Sequence, residues 1–400
     1  MLFHCEYVLM ASKTEQIFNA LGEGARDYRE IRNNRLFHAN QKDVRYFTRA
    51  ESIEYLGING KTIDSYIMQS GIDPKRHDHS IWAITIDEMY TLRDLLPEKI
   101  RVAPKFTRSN KKLQVITIQN QKGGVGKTVS AVTIASGLAT QFHQQYRVGL
   151  IDLDGQGTAS MYYVANTDDT LTAGDLIRKD YDLDDGETEH DAISESFLPT
   201  AIPNLRILPA AQHDRAVDGW FHKAIVNGLE NPYKLLDNII NEVENEFDII
   251  IIDTPPSLSF VTLNAYYAAS SVIFPLGASE NDLDATCGYF EYIKDVWDLM
   301  ESNGHQGYDF TRLLLTNYRE DPASIDIQSK IEKFFPDMMY STEFHYSVAI
   351  RECSALMSTV FDMSKSEYPK TKQTFNRAAT NAYSVINKIH SDIVKVWSNE

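Results

Sequence analysis

Lys122-Gly123-Gly124-Val125-Gly126-Lys127-Thr128 is a glycine-rich stretch that separates two apolar segments of this 400-residue chain. The segment before it, residues 115–119, is typical of a buried strand, and the segment after it predicts a helix over residues 128–142. Glycines let a backbone turn tightly with its N–H groups pointing inward, and the start of a helix adds partial positive charge. Strand, glycine-rich turn and helix in this order predict a loop that binds polyphosphates.

Side chains of this loop predict a nucleotide and a metal ion. Lys127 is expected to reach the β- and γ-phosphates, and the Thr128 hydroxyl is expected to hold Mg²⁺. The common form of the loop has a glycine where Gln121 stands and no lysine at the position of Lys122, so this is a deviant form. A chance glycine-rich turn is disfavoured, because glycine makes up only about 7% of average proteins. The predicted nucleotide-binding residues are Lys122, Gly123, Gly124, Val125, Gly126, Lys127, Thr128 and Val129.

Two further apolar runs end in acidic residues. Residues 148–151 lead into Asp152 and Asp154, and residues 249–252, four isoleucines, lead into Asp253. Both runs are typical of buried parallel strands, whose carboxyl ends meet at one edge of an open α/β sheet, where ligands bind. A single acid at a strand end is often only a turn residue or a helix cap. Together with the loop, these acids predict a Mg²⁺ site in which Asp152 and Asp253 join the threonine hydroxyl.

Additional strands are predicted over residues 204–209, 271–276 and 313–316. Because they alternate with helical patterns, the expected fold class is α/β, with a doubly wound and mostly parallel sheet. The acidic stretch 180–191 is expected to be a solvated loop.

Length and composition place the chain among cytoplasmic globular proteins of two or three units. The hydrophobic content of 43% is ample for packed cores. No run of about 18 apolar residues occurs, so no membrane span is expected, and the N-terminus lacks the layout of a signal peptide. Cys5, Cys287 and Cys353 are too few and too scattered for a disulfide framework or a cysteine metal site.

The net charge of −17 argues against a broad DNA-binding surface. The charge is unevenly distributed: residues 1–112 carry 18 Lys and Arg against 15 Asp and Glu, whereas residues 113–400 carry 21 against 41. Any contact with DNA is therefore expected to be local, with the front third as the first candidate.

Residues 1–45 are predicted to contain a helix that begins at a capping box, Ser12 to Glu15. Ile17, Leu21, Tyr28 and Ile31 fall near one face of this helix. Such a helix either serves dimerisation or packs on its own domain, and the sequence leaves both open.

Residues 46–100 are predicted to form a winged helix-turn-helix. Capping boxes begin helices at Thr48 and Thr85, residues 57–59 form the turn, a recognition helix follows, and residues 71–84 form a β wing. A small helical protein-binding domain is the alternative. The predicted DNA-binding residues of this segment are Lys61, Thr62, Tyr66, Lys75 and Arg76.

The remainder is predicted to divide into a basic, exposed linker, residues 101–112, and an α/β domain that contains the glycine-rich loop, residues 113–400. The last helix, predicted over residues 381–397, has isoleucines 386, 389 and 393 on one side. Helices that bind membranes have a more basic polar face than this one, so packing on its own domain is favoured.

On three elements, residues 122–128, 152–157 and 253–258, the chain resembles the ParA/MinD group of deviant-loop ATPases. Within that group it resembles the larger plasmid partition ATPases of the ParA/SopA kind, whose DNA-binding end is similar in layout to MerR-type heads. That resemblance implies a P-loop ATPase domain behind the winged helix. One departure is Asp154-Gly155-Gln156-Gly157, where the family usually has Asp-Pro-Gln-Gly. Loss of the proline loosens this loop but keeps its carboxylate.

The resemblance implies Mg²⁺-dependent hydrolysis of ATP to ADP and phosphate, with Lys122, Lys127 and Asp154 as catalytic residues. In relatives the residue matching Asp154 lies near the attacking water, and the lysine matching Lys122 reaches across a nucleotide-sandwich homodimer. ATP binding would therefore drive dimerisation. Arg351 matches the arginine that contacts DNA nonspecifically in the ATP-bound dimer.

The resemblance also implies a nucleoid-associated partition ATPase that a ParB-type centromere-binding protein stimulates and that represses its own operon through operator binding. The alternatives are a MinD-like division-site ATPase and a transcriptional repressor with a nucleotide-sensing ATPase domain. The front domain and the weakly basic last helix disfavour the MinD-like role. An electron-transfer iron protein shares the loop but needs paired cysteine ligands, and residues 113–400 have only Cys287 and Cys353.

Overall fold

The computed structural model describes residues 13–38, 41–42, 44–74, 82–167 and 169–399. The elements of its front third are α1 (Lys13–Leu36), β1 (Phe37–His38), β2 (Gln41–Lys42), β3 (Tyr46–Thr48), α2 (Arg49–Leu56), α3 (Gly60–Ser70), β4 (Ala83–Thr85) and α4 (Ile86–Leu95). Strands β1 and β2 pair antiparallel, and so do β3 and β4.

Helices α2, α3 and α4 begin where the sequence places helix caps. Thr48 and Glu51 form a reciprocal capping box at α2, and Thr85 and Glu88 form one at α4, as predicted. The Asn59 side chain caps α3 by accepting two backbone N–H groups. These helices and β3–β4 surround a small core of their own, built by Phe47, Leu56, Ile63, Ile84, Ile86, Met89, Leu92 and Leu96.

Helix α1 leaves its apolar side uncovered in the described chain. Ile17, Leu21, Tyr28 and Ile31 are each more than half exposed. The C-terminal part of α1 contacts the rest of the molecule, where the Asn33 side-chain amide donates a hydrogen bond to the Ala165 carbonyl at 2.6 Å. Ser12 of the predicted capping box and the wing residues 75–81 lie outside the described residues.

One sheet of seven strands organises the rest of the described chain, in the order β11-β10-β5-β9-β6-β8-β7. Its neighbours are parallel except at the edge, where β7 runs antiparallel to β8. The predicted mostly parallel sheet is therefore confirmed. Its strands are β5 (Gln114–Ile118), β6 (Val148–Asp152), β7 (Leu198–Pro199), β8 (Leu205–Leu208), β9 (Ile249–Asp253), β10 (Ser271–Gly277) and β11 (Phe310–Thr316).

Helices cover both faces of this sheet and complete the expected α/β architecture. They are α5 (Lys127–Thr140), α6 (Ala173–Arg178), α7 (Glu189–Ser196), α8 (Val217–Val226), α9 (Leu235–Glu242), α10 (Phe260–Ala268), α11 (Glu280–Phe290), α12 (Ile293–Ser302), α13 (Pro322–Phe334), α14 (Val348–Ala355) and α15 (Lys372–Asn399).

The last helix, α15, begins at Lys372 rather than near residue 381, so the sequence-based start was wrong by about three helical turns. Its Ile386, Ile389 and Ile393 are fully buried in the core that α5 shares. Contact with α5 is close, because a Cβ added at Gly137 would lie 2.2 Å from the Ile386 Cδ1 atom. The helix thus packs on its own domain. Among the described residues, no helix combines the length and the apolar character that crossing a bilayer requires.

The segment 101–112 has no helix or strand, and seven of its twelve residues are exposed, in keeping with the expected linker. Two residues are exceptions: Phe106 stacks on Trp397 with ring centroids 4.4 Å apart, and Arg108 is 9% exposed. The Arg108 guanidinium donates to the Asn245 side chain and pairs with Glu244. An aromatic ring and a guanidinium with partners of this kind fasten the segment to the part of the molecule that carries the seven-stranded sheet.

Candidate nucleotide-binding site

The glycine-rich loop turns between β5 and α5, and a buried asparagine holds its beginning. Asn120 donates from its side-chain amide to the Pro275 carbonyl and to the Thr286 hydroxyl, and its Oδ1 accepts the N–H of Lys122 at 2.9 Å. Gly124 and Gly126 have φ of +82° and +84°, a region that favours glycine. Gly126 is the N-cap residue of α5, whose first helical residue is Lys127.

The end of the loop is held from β11. The Thr316 hydroxyl bonds to the Val125 carbonyl at 2.8 Å, and Val125 itself is fully buried. Gly123 and Gly124 are exposed, with open space where a side chain would stand, so their backbone N–H groups are accessible to a ligand. Val129 follows in the first turn of α5 and lines the adjoining cleft.

Lys127 points back across the loop. Its ammonium donates to the Lys122 carbonyl at 3.2 Å, and only 7% of the residue is exposed. Burial lowers the pKa of Lys127, whereas the carboxylates of Asp253 and Asp154 act to raise it. The positive charge is thus placed between the loop and the acidic strand ends.

Asp253 is the carboxylate that lacks partners. It lies opposite Asp152 in the β6–β9 register, it is fully buried, and neither of its oxygens has a hydrogen bond of ordinary geometry within the described chain. Burial raises the pKa of Asp253 well above its ordinary value, and Asp152 adds to the rise, while the nearby Thr128 hydroxyl acts to lower it. Buried carboxylates need compensation, so an uncompensated one beside a hydroxyl and a lysine fits a bound cation.

Asp152, unlike Asp253, accepts hydrogen bonds with both of its carboxylate oxygens. Its Oδ1 accepts the N–H of Asp154, and its Oδ2 accepts both the N–H and the hydroxyl of Ser160. Burial raises the pKa of Asp152 to about 7, and the hydrogen bonds from Ser160 act in the opposite direction. Since a carboxylate has about four lone-pair sites, these three bonds leave about one for any further ligand.

Asp154 stands just beyond this buried pair and is half-buried. Its Oδ1 accepts the N–H of Gln156 at 2.9 Å, and its carbonyl accepts the N–H of Gly157, so it begins a tight turn. The turn uses one carboxylate oxygen of Asp154, and the carboxylate lies close enough to Lys127 to raise the pKa of that lysine.

A cleft of about 270 Å³ opens beside the loop, on the side away from the acidic strand ends. The loop glycines, the tip of β11 and α14 enclose it. Its polar and aromatic lining includes residues that the sequence interpretation missed, namely Thr316, Asn317, His345, Tyr346 and Ser347. The available signal was the polar pair after the apolar run of β11, at the same sheet edge as the loop.

Arg351, predicted to contact DNA, lies on α14 and lines this same cleft. It is exposed, and its guanidinium contacts the Tyr346 hydroxyl at 3.4 Å. Helix α14 therefore connects the surface that carries Arg351 with the wall of the cleft beside the loop.

The DNA-binding residues predicted in the front third fall on α3 or outside the described residues. Lys61 is exposed near the start of α3. Thr62 uses its hydroxyl to bond the Asn59 side chain, and Tyr66 packs partly against the small core. Lys75 and Arg76 lie within residues 75–81, outside the described chain.

A family model described as an AAA domain matches residues 113–303, which include the loop and all three acidic residues. SopA of Escherichia coli K12 is 26% identical over 316 residues, covering 78% of this chain and 77% of SopA. A protein of Rhizobium rhizogenes provisionally named replication protein A is 23% identical over 371 residues, covering 90% of this chain and 89% of that protein. A solved structure titled "Partition Protein" superposes with a TM-score of 0.66 at 18% identity, covering 95% of this chain and 98% of that one.

The sheet, the loop and the matched family model define a P-loop ATPase-type domain. Within that class, the comparisons confirm the resemblance to the plasmid partition ATPases of the ParA and SopA kind.

Proposed function

We propose that this protein is a DNA partition ATPase that hydrolyses ATP with Mg²⁺ and uses the nucleotide state to control dimerisation and DNA binding. The observation that carries the proposal is the fully buried Asp253 carboxylate, which has no hydrogen bond of ordinary geometry to any described residue and lies beside Lys127 and Thr128. A magnesium nucleotide supplies both the cation that this carboxylate lacks and the anion that the loop amides and Lys127 attract.

Phosphoryl transfer to water depends on positioning and on charge stabilisation. In this assignment the loop amides and Lys127 hold the phosphates, and Thr128 and Asp253 hold the metal ion, with Asp152 contributing at most through a water molecule. Bound Mg²⁺ supplies neutralisation of charge that develops on the phosphate oxygens. Asp154 orients the attacking water, because it lies next to the buried pair and keeps an oxygen that its own turn does not use.

Lys122 is proposed to act in a homodimer. Its backbone is fixed by Asn120, whereas its side chain stands in the partly exposed rim of the loop. A lysine in that position is suited to reach the phosphates bound by a second copy. The exposed apolar side of α1 is proposed as a further dimer contact, which favours dimerisation over packing on its own domain.

The proposed domains are an N-terminal helical segment (1–45), a winged helix-turn-helix (46–100), a linker (101–112) and a ParA-type P-loop ATPase domain (113–400). Two separate DNA contacts are proposed within this arrangement. Arg351 on α14 contacts DNA phosphates regardless of sequence in the ATP-bound dimer. Helices α2 and α3 are joined by a turn at Gly57, and α3 carries the exposed Lys61. The two helices are proposed to form a helix-turn-helix with α3 as its recognition helix. This unit is proposed to read an operator, and a ParB-type protein is proposed to stimulate hydrolysis.

Replacement of Lys127 by alanine tests the assignment. Lys127→Ala should abolish ATP hydrolysis or lower it by at least about a hundredfold, because phosphate charge then loses its buried cation. The matched control is Lys388→Ala, which removes an exposed lysine from α15 and should leave turnover unchanged. Phosphate release with and without Mg²⁺ measures both.

Unchanged turnover in the Lys127→Ala protein would refute the site. Operator binding that persists in a wild-type protein without any hydrolysis would instead favour the nucleotide-sensing repressor.

A further inference from the structure

The loop that carries Asp154 is fixed at a second point, six residues further along the chain. Ser160 is 2% exposed and lies at the end of this loop. Its N–H and its hydroxyl both donate to the Asp152 Oδ2 atom at 2.8 Å. The same hydroxyl oxygen accepts the N–H of Ala210 at 2.9 Å. The Ser160 hydroxyl therefore uses its donor on Asp152 and one of its two acceptor sites on the Ala210 N–H, so it joins the end of the loop to two other segments.

Asp152 completes a closed arrangement. While its Oδ2 holds Ser160, its Oδ1 holds the N–H of Asp154 at 3.0 Å. Both ends of the loop 154–160 are thus attached to the same buried carboxylate at the tip of β6. Asp253, its neighbour in register, takes part in none of these bonds, and neither of its oxygens has a hydrogen bond of ordinary geometry to a residue in the described part of the chain. The two buried acids therefore have different tasks.

The outer side of the loop is also confined. A Cβ added at Gly155 would lie 2.8 Å from the Arg215 Cγ atom and 3.0 Å from its backbone nitrogen. One added at Gly157 would lie 2.8 Å from the Ala210 carbonyl oxygen, where φ is +65°. The turn 210–215 therefore covers the loop closely. The Ser160 hydroxyl joins this turn to the strand tip, because it accepts the Ala210 N–H and donates to Asp152.

We propose that Ser160 is a positioning residue, which acts through Asp152 and Ala210 to hold the loop that presents Asp154 to the attacking water. This inference rests on the proposed function, since it assumes that Asp154 orients that water. Asp253 is then the carboxylate reserved for the metal ion, and Asp152 is chiefly the anchor of the loop.

Replacement of the serine tests the proposal. Ser160→Ala removes one bond to Asp152 and leaves the Ala210 N–H without its partner. The kcat for ATP should fall at least about tenfold, because a small misplacement of a reacting group is expensive, while KM should change little since the phosphate loop is intact. In the Ser160→Ala background, Asp154→Asn should cost less than it does in the wild type, because the two residues act as one unit.

A second readout needs no nucleotide. The N–H groups of Gln156 and Gly157 both bond to Asp154 within the loop, so their hydrogen–deuterium exchange should accelerate in Ser160→Ala. The matched control is Ser136→Ala, which removes a hydroxyl that is equally buried on α5 and bonds to Thr359. That variant should leave both kcat and exchange of the loop unchanged.

Wild-type kcat and exchange in a folded Ser160→Ala protein would overturn the proposal, as would equal effects of the two serine variants or additive losses with Asp154→Asn. Should Ser160→Ala fail to fold, Asp152→Asn supplies the same test, because its amide cannot accept from both Asp154 and Ser160. If Ser160 positions the loop, Asp152→Asn must accelerate hydrogen–deuterium exchange of the Gln156 and Gly157 N–H groups. Unchanged exchange in that variant refutes the proposal. Wild-type protein that hydrolyses no ATP would refute the proposed function alone.

Discussion

Two regions of the molecule are held together in contrasting ways: the nucleotide site at the strand tips, and the seam between the front third and the ATPase domain. At the site, neighbours in the sheet bring short sequence motifs into register, as with Asp152 and Asp253. At the seam, side chains of the front third bond segments that are far apart in sequence: Asn33, Arg45 and Tyr90 do so, and Lys42 makes the most such bonds. Lys42 contacts residues that are 120, 315 and 320 positions away.

Lys42 shows what such a seam requires. Its ammonium has three donors, and it bonds the carbonyls of Tyr162 and Met357 and the carboxylate of Asp362. Desolvation lowers the pKa of Lys42, and Asp362 opposes that effect. The lysine thus fastens β2 to the end of the loop after Asp154 and to the segment after α14. The comparison teaches that short motifs build the site, whereas the seam depends on individual side chains such as Lys42, a buried charge with three partners.

The largest expected effect follows from removing that charge. Lys42→Met should lower the free energy of unfolding by about 3–5 kcal/mol, because Asp362 is left buried without its cation. The matched control is Lys294→Met, which removes an exposed lysine paired with Asp298 and should have no measurable effect. Chemical denaturation of the three proteins measures the difference. Equal stability of Lys42→Met and wild type would break the comparison.

A smaller effect is expected from the two proposed DNA contacts, Arg351 on α14 beside the nucleotide site and Lys61 on α3 in the front third. Arg351→Ala should weaken ATP-dependent binding to random duplex about tenfold and reduce its salt dependence by about one phosphate contact. Lys61→Ala should instead weaken binding to the DNA upstream of the gene more than binding to random DNA. Fluorescence anisotropy with ATP and with ADP separates the two.

Equal losses on both DNAs for Lys61→Ala would contradict operator reading by α3. Normal retention of Arg351→Ala on random duplex at physiological salt would remove α14 from the DNA surface.

The smallest effect concerns how stability depends on pH through two half-buried histidines, His390 on α15 and His143 at the seam. Burial lowers the pKa of His390, in the ATPase core, to about 4, and burial together with Arg93 lowers the pKa of His143 at the seam. A folded-state pKa below the unfolded value near 6.5 means that the unfolded chain binds the proton first. The stability that neutral His390 contributes is therefore present above pH 6.5 and is lost as pH falls toward 4.

His390→Gln, which keeps an acceptor for the Tyr146 hydroxyl, should reduce the loss of unfolding free energy between pH 7 and pH 5.5 by about 1 kcal/mol. Denaturation at the two pH values measures it. An identical pH dependence in wild type and variant would show that His390 is not kept neutral by the core.

Much of the nucleotide site follows from local patterns. Apolar runs that end in Asp152 and Asp253, with a glycine-rich turn after a third run, suffice because parallel strands expose their carboxyl ends at one edge. Ser160, Asn120 and Thr316 were missed because their partners come from other strands and loops. No periodicity in the sequence records such contacts.

Two contacts of the linker were missed for a similar reason. The basic residues and proline of residues 101–112 are typical of a solvated connection, and most of the segment is exposed, but Phe106 stacks on Trp397 and Arg108 pairs with Glu244. A polar composition shows that a segment can be exposed to solvent. Contacts with residues that are distant in sequence decide whether the segment packs against the rest of the molecule.

The sequence by itself determined the parallel sheet, the deviant phosphate loop and the acids at the strand tips, because backbone conformation and strand burial depend on residues that are neighbours in the chain. Only the tertiary structure decided that Asp253 has no hydrogen bond of ordinary geometry among the described residues while Asp152 anchors a loop, and that Lys42 joins the front third to the ATPase domain. Those outcomes depend on which buried donors and acceptors the fold brings together, from 8 residues apart for Asp152 and Ser160 to 320 for Lys42 and Asp362, and most buried polar groups find such a partner.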